Sequence, residues 1–330
     1  MKKNIAIVWG GYSSEIVISE KSAAGIYAFL DKDDKYNLFK VKIDRHTWEV
    51  EHQGNRFPVN KNDFSFEADG ATTRFDFAYI TIHGTPGEDG VLQGYFDMLG
   101  LPYSNCGVLA SALTFNKFTC NNFLKSFGVK VAPSILLRRS DAHTPEQITS
   151  KLGLPVFVKP NSGGSSFATT KVTATTEMKG AIEEAFTEAP EVIIEQFIAG
   201  TEVTCGCYET DKGIIALPLT EVVPANEFFD FDAKYNGQVE EITPARIPSS
   251  TSLVIQEETK KMYRLLGAKG IIRADYILQD GEPILLEVNT TPGMTRTSFI
   301  PQQVAAAGLS MGDVLSDIIE IEYAKIHVNR

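Results

Sequence analysis

The stretch that decides the fold reads Gly270-Ile-Ile-Arg-Ala-Asp-Tyr-Ile-Leu-Gln-Asp-Gly-Glu-Pro-Ile-Leu-Leu-Glu-Val-Asn-Thr-Thr-Pro-Gly-Met-Thr295. Two strand-like runs, Ile271 to Leu278 and Pro283 to Asn289, flank Asp280-Gly281, a dipeptide suited to the positive φ angles of a two-residue hairpin turn. Glu287 and Asn289 are two apart on a strand, so both side chains leave the same face. Asp275 lies on the partner strand and joins that face only if the loop has an odd residue count or a bulge. A strict two-residue turn sets it opposite Leu286. Hard carboxylate and amide oxygens suit Mg²⁺, which commonly links one or two protein carboxylates to substrate phosphates. Taken alone, the set fits a salt-bridged strand edge equally well.

Outward from this hairpin, the chain divides. At 330 residues it exceeds the roughly 250 to 300 at which one hydrophobic core stops growing, so two or three domains are expected. The first part alternates strand and helix signals: Ile5 to Trp9, a helix from about Ser14 to Leu30, Tyr36 to Ile43, then Phe75 to Ile82. That order predicts a parallel sheet covered by helices. A helix from about Asp89 to Leu99 ends at Gly100, and another is predicted from about Leu109 to Phe127, with a domain boundary inside it near Asn116. A smaller α+β unit follows, with strands at 154–160, 170–173 and 192–198 and a helix at 177–188. Thr201 to Tyr208, a strand Ile214 to Thr220, a polar stretch from Ala225 to Gln238 and a helix from about Thr251 to Leu266 lead back to the hairpin. The expected division is 1–116, 117–203 and 204–330, an α/β and α+β chain whose N-terminal domain carries the parallel sheet.

Composition narrows the function. The formal charge of −11 disfavours nucleic acid, whose phosphates bind through Lys and Arg. Hydrophobic residues at 43% and charged residues at 22% are ordinary for a globular chain. The opening apolar run, Asn4 to Trp9, is too short for a signal peptide, and no segment reaches the roughly 20 apolar residues of a membrane span, so a cytoplasmic location is expected. Four cysteines agree with a reducing compartment. Cys205-Gly-Cys207 lacks the second pair or histidines that a metal site needs, which favours plain strand cysteines.

Other segments carry chemistry only in company. Lys159 ends an apolar strand before Gly163-Gly-Ser-Ser166, a loop whose N–H groups and hydroxyls could wrap phosphate, though no Walker sequence occurs. Glu195 and Glu202 bracket the turn at Ala199-Gly200, where carboxylates can accept from an amine and from hydroxyls, or simply be solvated. Gly10-Gly11-Tyr12-Ser13-Ser14-Glu15 opens a helix after the first strand, a ligand position in α/β folds, but lacks G-x-G-x-x-G; Ser14 and Glu15 would equally serve as a cap. His83-Gly-Thr-Pro-Gly-Glu-Asp-Gly90 follows a strand in the same topological place.

Together and in this order, these motifs resemble the D-alanine:D-alanine ligases of the ATP-grasp superfamily, from about Asn4 to Pro301. Most specific are His-Gly-x-x-Gly-Glu-Asp-Gly at 83–90 and Glu-Val-Asn-Thr-Thr-Pro-Gly-Met-Thr at 287–295. The resemblance implies a three-domain ATP-grasp fold with ATP between the second and third domains. Lys117 and Lys159 would meet its phosphates, with Ser165 and Ser166 of the glycine-serine loop; Glu195, Gln196 and the backbone through Ile198 would read its adenine and Glu202 its ribose, and Lys234 would also contact ATP. Asp275, Glu287 and Asn289 would hold two Mg²⁺ or Mn²⁺ ions. Glu15, with Ile18 and His83 beside it, would orient the first D-alanine, while Arg273 and the Gly293 N–H would stabilise the tetrahedral oxyanion. Ser298 and Lys234 would grip the second carboxylate, and Glu15, Ser165 and Tyr235 would fasten the 225–238 stretch over the site.

The resemblance also implies a homodimer and a role in peptidoglycan precursor synthesis. Lys234-Tyr235 is similar to the D-alanine-specific members; relatives that use D-lactate place a histidine in that loop, and none occurs here between His143 and His327. D-lactate or D-serine as second substrate is the alternative. The chain departs from the family at Ile16-Val17 and at Phe167-Ala168, where many members have Val-Gly. A regulator that binds nucleotide without turnover, an ATP-grasp ligase for another acid and amine, and a nicotinamide dehydrogenase are the competing readings, the last lacking its glycine fingerprint.

Overall fold

The computed structural model describes residues 2–13, 15–163, 168–224 and 239–328. Its first sheet contains β1 (Lys3–Gly10), β2 (Tyr36–Ile43), β3 (Trp48–His52), β4 (Asn55–Asn60), β5 (Ser65–Ala68), β6 (Ala71–Arg74) and β7 (Phe77–Ile80), in the order β6-β5-β4-β3-β2-β1-β7. The expected parallel core is present, since β1 runs parallel to both β2 and β7. It is extended by an antiparallel meander that the strand signals had passed over, which makes the sheet mixed. The turns Gln53-Gly54 and Asp69-Gly70 have positive φ at both positions, the geometry that closes two-residue hairpins.

Alternation along β1 feeds two cores. Ile5, Ile7 and Trp9 pack with Ala23 and Ile26 of α1 (Ile16–Leu30), while Ala6 and Val8 pack on the opposite side with Leu92 and Phe96 of α2 (Val91–Leu99). The single helix predicted at 109–127 is two: α3 (Val108–Phe115) and α4 (Lys117–Lys125). Asn116 breaks it, because its backbone is extended at φ −93° and ψ 97° and its side chain accepts from the Thr119 N–H. That capping contact satisfies a donor that a continuous helix would have used itself.

The second sheet, β8 (Ser134–Arg138), β9 (Val156–Pro160), β10 (Thr170–Val172) and β11 (Glu191–Gln196), is antiparallel in the order β10-β9-β11-β8. Its apolar face packs on α5 (Pro145–Leu152) and α6 (Met178–Glu188). The third sheet holds β12 (Thr201–Thr210), β13 (Gly213–Ala216), β14 (Thr220–Pro224), β15 (Val239–Ile242), β16 (Ile271–Gln279) and β17 (Glu282–Asn289). The one strand predicted at 214–220 is split into β13 and β14, which pair with opposite ends of β12. Pro218 stands between them and has no N–H for a ladder bond.

The third sheet has two unlike faces. Val203, Cys205, Ala274, Tyr276, Leu285 and Val288 point into a core shared with α3, α4 and α7 (Ser249–Leu265). Glu202, Thr204, Arg273, Asp275, Glu287 and Asn289 occupy the other face, by the alternation of the paired strands. All four cysteines are buried and free, so Cys205 and Cys207 are core residues as read.

The first sheet's α1 closes over that polar face. A Cβ on Gly25 would sit 2.3 Å from the Met294 carbonyl oxygen, so only glycine admits this approach of α1 to the loop after β17. Asn105 ties the same loop from the other side, donating to the Thr290 carbonyl and the Thr291 hydroxyl at 3.2 and 2.8 Å. Two further helices complete the chain, α8 (Phe299–Ala306) and α9 (Met311–Val328). Among the described residues no helix is long and apolar enough to cross a membrane.

Candidate active site

The hairpin condition set by the sequence is met through a bulge. Asp280 and Gly281 form the strict two-residue turn, with φ of 53° and 83° and Gln279 opposite Glu282. That turn alone would pair Asp275 with Leu286. Instead the register shifts between Asp275 and Tyr276: Tyr276 pairs with Leu285, and Asp275 with Glu287. Leu286 is the extra residue, and the bulge puts Asp275, Glu287 and Asn289 on one face.

Two adjoining clefts, of about 990 and 870 Å³, meet at this face. Glu15, Lys117, Glu202, Asp275 and Glu287 line both. Lys159, Glu195, Gln196 and Ile198 line the larger; Ile18, His83, Arg273, Asn289, Gly293 and Ser298 line the smaller. The sites assigned to Ser165, Ser166, Lys234 and Tyr235, the cap at Ser14, and the 225–238 stretch lie outside the described residues. Of the departures noted above, Ala168 is described and has φ 49°, the left-handed region that favours the glycine many members have there.

Charges in the clefts are paired in a defined way. The Arg273 guanidinium donates through Nε and Nη2 to the two oxygens of Asp275, both at 2.8 Å. Burial opposes its charge, but Asp275, Glu287 and Glu202 outweigh burial and raise its pKa, so Arg273 stays cationic. Lys117 lies 3.2 Å from Glu287 and donates to the Gly163 carbonyl at 2.7 Å, at the edge of the glycine-serine loop. Lys159 Nζ is 2.6 Å from Glu195; burial opposes its charge too, and Glu195 and Glu287 prevail and raise its pKa. Breaking a buried pair of this kind by removing one partner typically costs about 3–5 kcal/mol.

At the smaller cleft, burial foremost and then Arg273 push the His83 imidazole down to about 4, so it is neutral near pH 7. Its Nε2 is buried without a hydrogen-bond partner among the described residues, a polar atom left for a ligand to satisfy. The Ser298 hydroxyl already contacts the Thr295 N–H and hydroxyl, at 3.1 and 2.8 Å. Asn289 Oδ1 accepts from the Thr291 N–H at 3.0 Å, which fixes the amide while leaving the oxygen's second lone pair.

Glu88 was not singled out from its motif, yet it is buried at the smaller cleft and accepts from the Gly84 N–H at 2.9 Å. Its signal was the glutamate inside a glycine-dense turn. Burial first, then Glu15, push its pKa up to about 7. A carboxyl whose folded pKa exceeds its ordinary 4.5 adds stability that is fully present below pH 4.5 and is lost as pH rises through 7. Glu88→Gln is therefore expected to gain stability over the native chain progressively between those limits, by on the order of 3 kcal/mol at the upper end. Melting temperatures from pH 4.5 to 8 check this; a constant difference across that range would contradict it.

Glu241 and Gln302, also unassigned from sequence, line the smaller cleft, and the Gln302 amide donates to the Glu241 carboxylate and to the Thr297 carbonyl. Among the described residues no group of three or more His, Cys, Asp or Glu side chains has the arrangement of a metal site. The oxygen set is two carboxylates and an amide on one face, and that chemistry fits Mg²⁺ shared with phosphates.

Three sheets, with one cleft lined from both the second and the third, agree with the architecture that the resemblance to ATP-grasp ligases implies. Comparison with known proteins narrows this. Residues 4–106 match the D-ala D-ala ligase N-terminus profile and residues 123–320 the D-ala D-ala ligase C-terminus profile. The chain belongs to the D-alanine:D-alanine ligase family. It is 64% identical to the D-alanine–D-alanine ligase of Parabacteroides distasonis, over 98% of both chains. Among solved structures it is similar to the VanG D-Ala:D-Ser ligase of Enterococcus faecalis (TM-score 0.87, 31% identity, 98% and 100% of the two chains). It is also similar to the D-alanine–D-alanine ligase of Bacillus anthracis complexed with ATP (TM-score 0.78, 26% identity, 99% of each).

Proposed function

We propose that the chain joins two D-alanine molecules into D-alanyl-D-alanine at the expense of ATP, for peptidoglycan precursor synthesis, through a D-alanyl phosphate. The observation that carries this reading is the bulged register, which sets Asp275, Glu287 and Asn289 beside Arg273 where the two clefts meet. In this reading ATP occupies the larger cleft, with adenine at Glu195, Gln196 and Ile198, ribose at Glu202 and phosphates at Lys117, Lys159, Ser165, Ser166 and Lys234. Two Mg²⁺ or Mn²⁺ ions held by Asp275, Glu287 and Asn289 would neutralise phosphate charge.

Glu15 holds the first D-alanine by its ammonium, with Ile18 and neutral His83 beside it. The carboxylate oxygen of this first D-alanine attacks the γ-phosphorus, ADP leaves, and the deprotonated amine of the second D-alanine attacks the acyl carbon. The attacking nitrogen loses its surplus proton to the departing phosphate, which leaves with the carboxylate oxygen. Arg273 and the Gly293 N–H bind the oxyanion formed between these steps, in a site where preorganised donors need no reorganisation. Ser298 and Lys234 hold the second carboxylate, and Ser165, Tyr235 and Glu15 fasten the 225–238 stretch so that water does not reach the acyl phosphate. The reading keeps the 1–116, 117–203 and 204–330 division; the first sheet ends well before 116, whereas β12 begins at Thr201 and pairs with β16 from that residue on, which favours a second boundary a few residues earlier. It also includes a cytoplasmic homodimer; exposed Val91, Met98 and Leu109 on α2 and α3 offer a second copy an apolar surface.

The likeness to a D-Ala:D-Ser ligase makes D-serine the second reading. Phosphate release with ATP and Mg²⁺, with D-alanine, L-alanine, D-serine or D-lactate supplied in turn and products weighed, separates them. D-alanyl-D-alanine is expected as the main product; a preference for D-alanyl-D-serine at equal concentrations would favour the alternative, and turnover indifferent to D-alanine would remove both.

A further inference from the structure

We propose that Asn121 is a positioning residue that links the nucleotide-base end of the larger cleft to the register of the carboxylate face; the proposal rests on the ATP reading given above. A bulge residue is left out of the strand ladder, so the carbonyl of Leu286 must find a partner elsewhere. The partner is on α4. Asn121, 2% exposed, donates from Nδ2 to the Leu286 carbonyl oxygen at 3.2 Å. The neighbouring Leu285 N–H is held from the same side, by the Lys130 carbonyl at 2.8 Å.

Nδ2 carries two hydrogens. The second acceptor in reach is Glu195 Oε1, at 3.5 Å, while the other oxygen of Glu195 meets Lys159 at 2.6 Å. One amide thus touches both the residue that sets the pairing of Glu287 with Asp275 and the carboxylate assigned to adenine. Its own Oδ1 is buried with no hydrogen-bond partner among the described residues, so the polar contacts of this side chain all run through Nδ2. Packing alone would be met at lower cost by an apolar side chain of similar volume, since an unpaired buried oxygen is unfavourable.

That asymmetry supplies the test. Asn121→Leu keeps the branched side-chain shape with a modest gain in volume and removes both hydrogen bonds; loss of the orphaned oxygen offsets the Leu286 carbonyl left unpaired, so its melting temperature is expected to stay close to that of the native chain. The ATP KM and the Mg²⁺ concentration for half-maximal turnover are each expected to rise about tenfold, the loss expected from one buried hydrogen bond, with the D-alanine KM unchanged within about twofold. Asn121→Ala, smaller and without a donor, is measured alongside and is expected to raise the same two requirements, which keeps the question answerable should the leucine variant not fold. A folded variant whose ATP and Mg²⁺ requirements match the native chain overturns the proposal. So does a D-alanine KM that rises in step with them, because that reports general damage. ATP binding by the native chain is measured first; its absence would remove the ATP reading itself, a result distinct from either variant's behaviour.

Discussion

Arg273→Ala is expected to keep ATP binding and to lose turnover by about 10²–10³-fold, the range found when one preorganised oxyanion donor is removed. The guanidinium is fixed by two 2.8 Å bonds to Asp275, so it meets developing charge without reorganising. Its removal takes one positive charge from beside Asp275 and leaves the lysine-paired Glu287 in place, so this face becomes less positive. Such a face should hold divalent cations at least as well, so ATP affinity in the presence of Mg²⁺ is not expected to fall. Arg273→Lys restores charge but not the planar fork, and is expected to recover little of the loss. Single-turnover kinetics together with direct ATP binding measures both terms. Turnover within a few-fold of the native chain would take Arg273 out of the chemistry; lost ATP binding would instead mean that the substitution disrupted the face.

Glu287→Gln is expected to have the other large effect. The substitution keeps the size and one oxygen but removes a negative charge that Lys117 neutralises across 3.2 Å and that faces Asp275 across the bulge. Metal-assisted stabilisation of phosphoryl transfer is worth several kcal/mol, so turnover is expected to fall about 10³-fold, with a raised Mg²⁺ requirement. A Mg²⁺ titration of activity reads both. Turnover within tenfold of native at saturating Mg²⁺ would show that the face is a salt-bridged strand edge, the plainer explanation its sequence allowed.

Local chemistry explains which parts of this molecule could be read from its sequence. The strands of the final hairpin, the parallel β2-β1-β7 core and the caps after α2 follow from side-chain alternation, Asp-Gly and glycine punctuation, all of which act over a few residues. The meander of β3 to β6 was missed because its strands are four to six residues long and alternate weakly; its two positive-φ turns were the better signal. Asn116 was placed at a domain boundary but inside one helix, because the cap it makes with Thr119 competes with helix continuation on nearly even terms.

The site shows the same division. Parity made Asp275 conditional on a bulge, and the bulge itself depends on partners remote in sequence: Asn121 and Lys130 hold Leu286 and Leu285 from outside the hairpin. Glu88 was legible as part of a motif, but its perturbed ionisation comes from burial and from Glu15, which no local pattern reports. Glu241 of β15 and Gln302 of α8 are joined in the cleft by a side-chain hydrogen bond, again a contact between distant segments.

The central claim, that the bulged face beneath ATP makes an acyl phosphate from D-alanine, is tested most directly with D-alanine labelled with ¹⁸O in its carboxylate. If the carboxylate oxygen attacks the γ-phosphorus and later leaves with it, each phosphate released carries one ¹⁸O atom. Phosphate free of label, released at the rate of ATP consumption, would contradict the account.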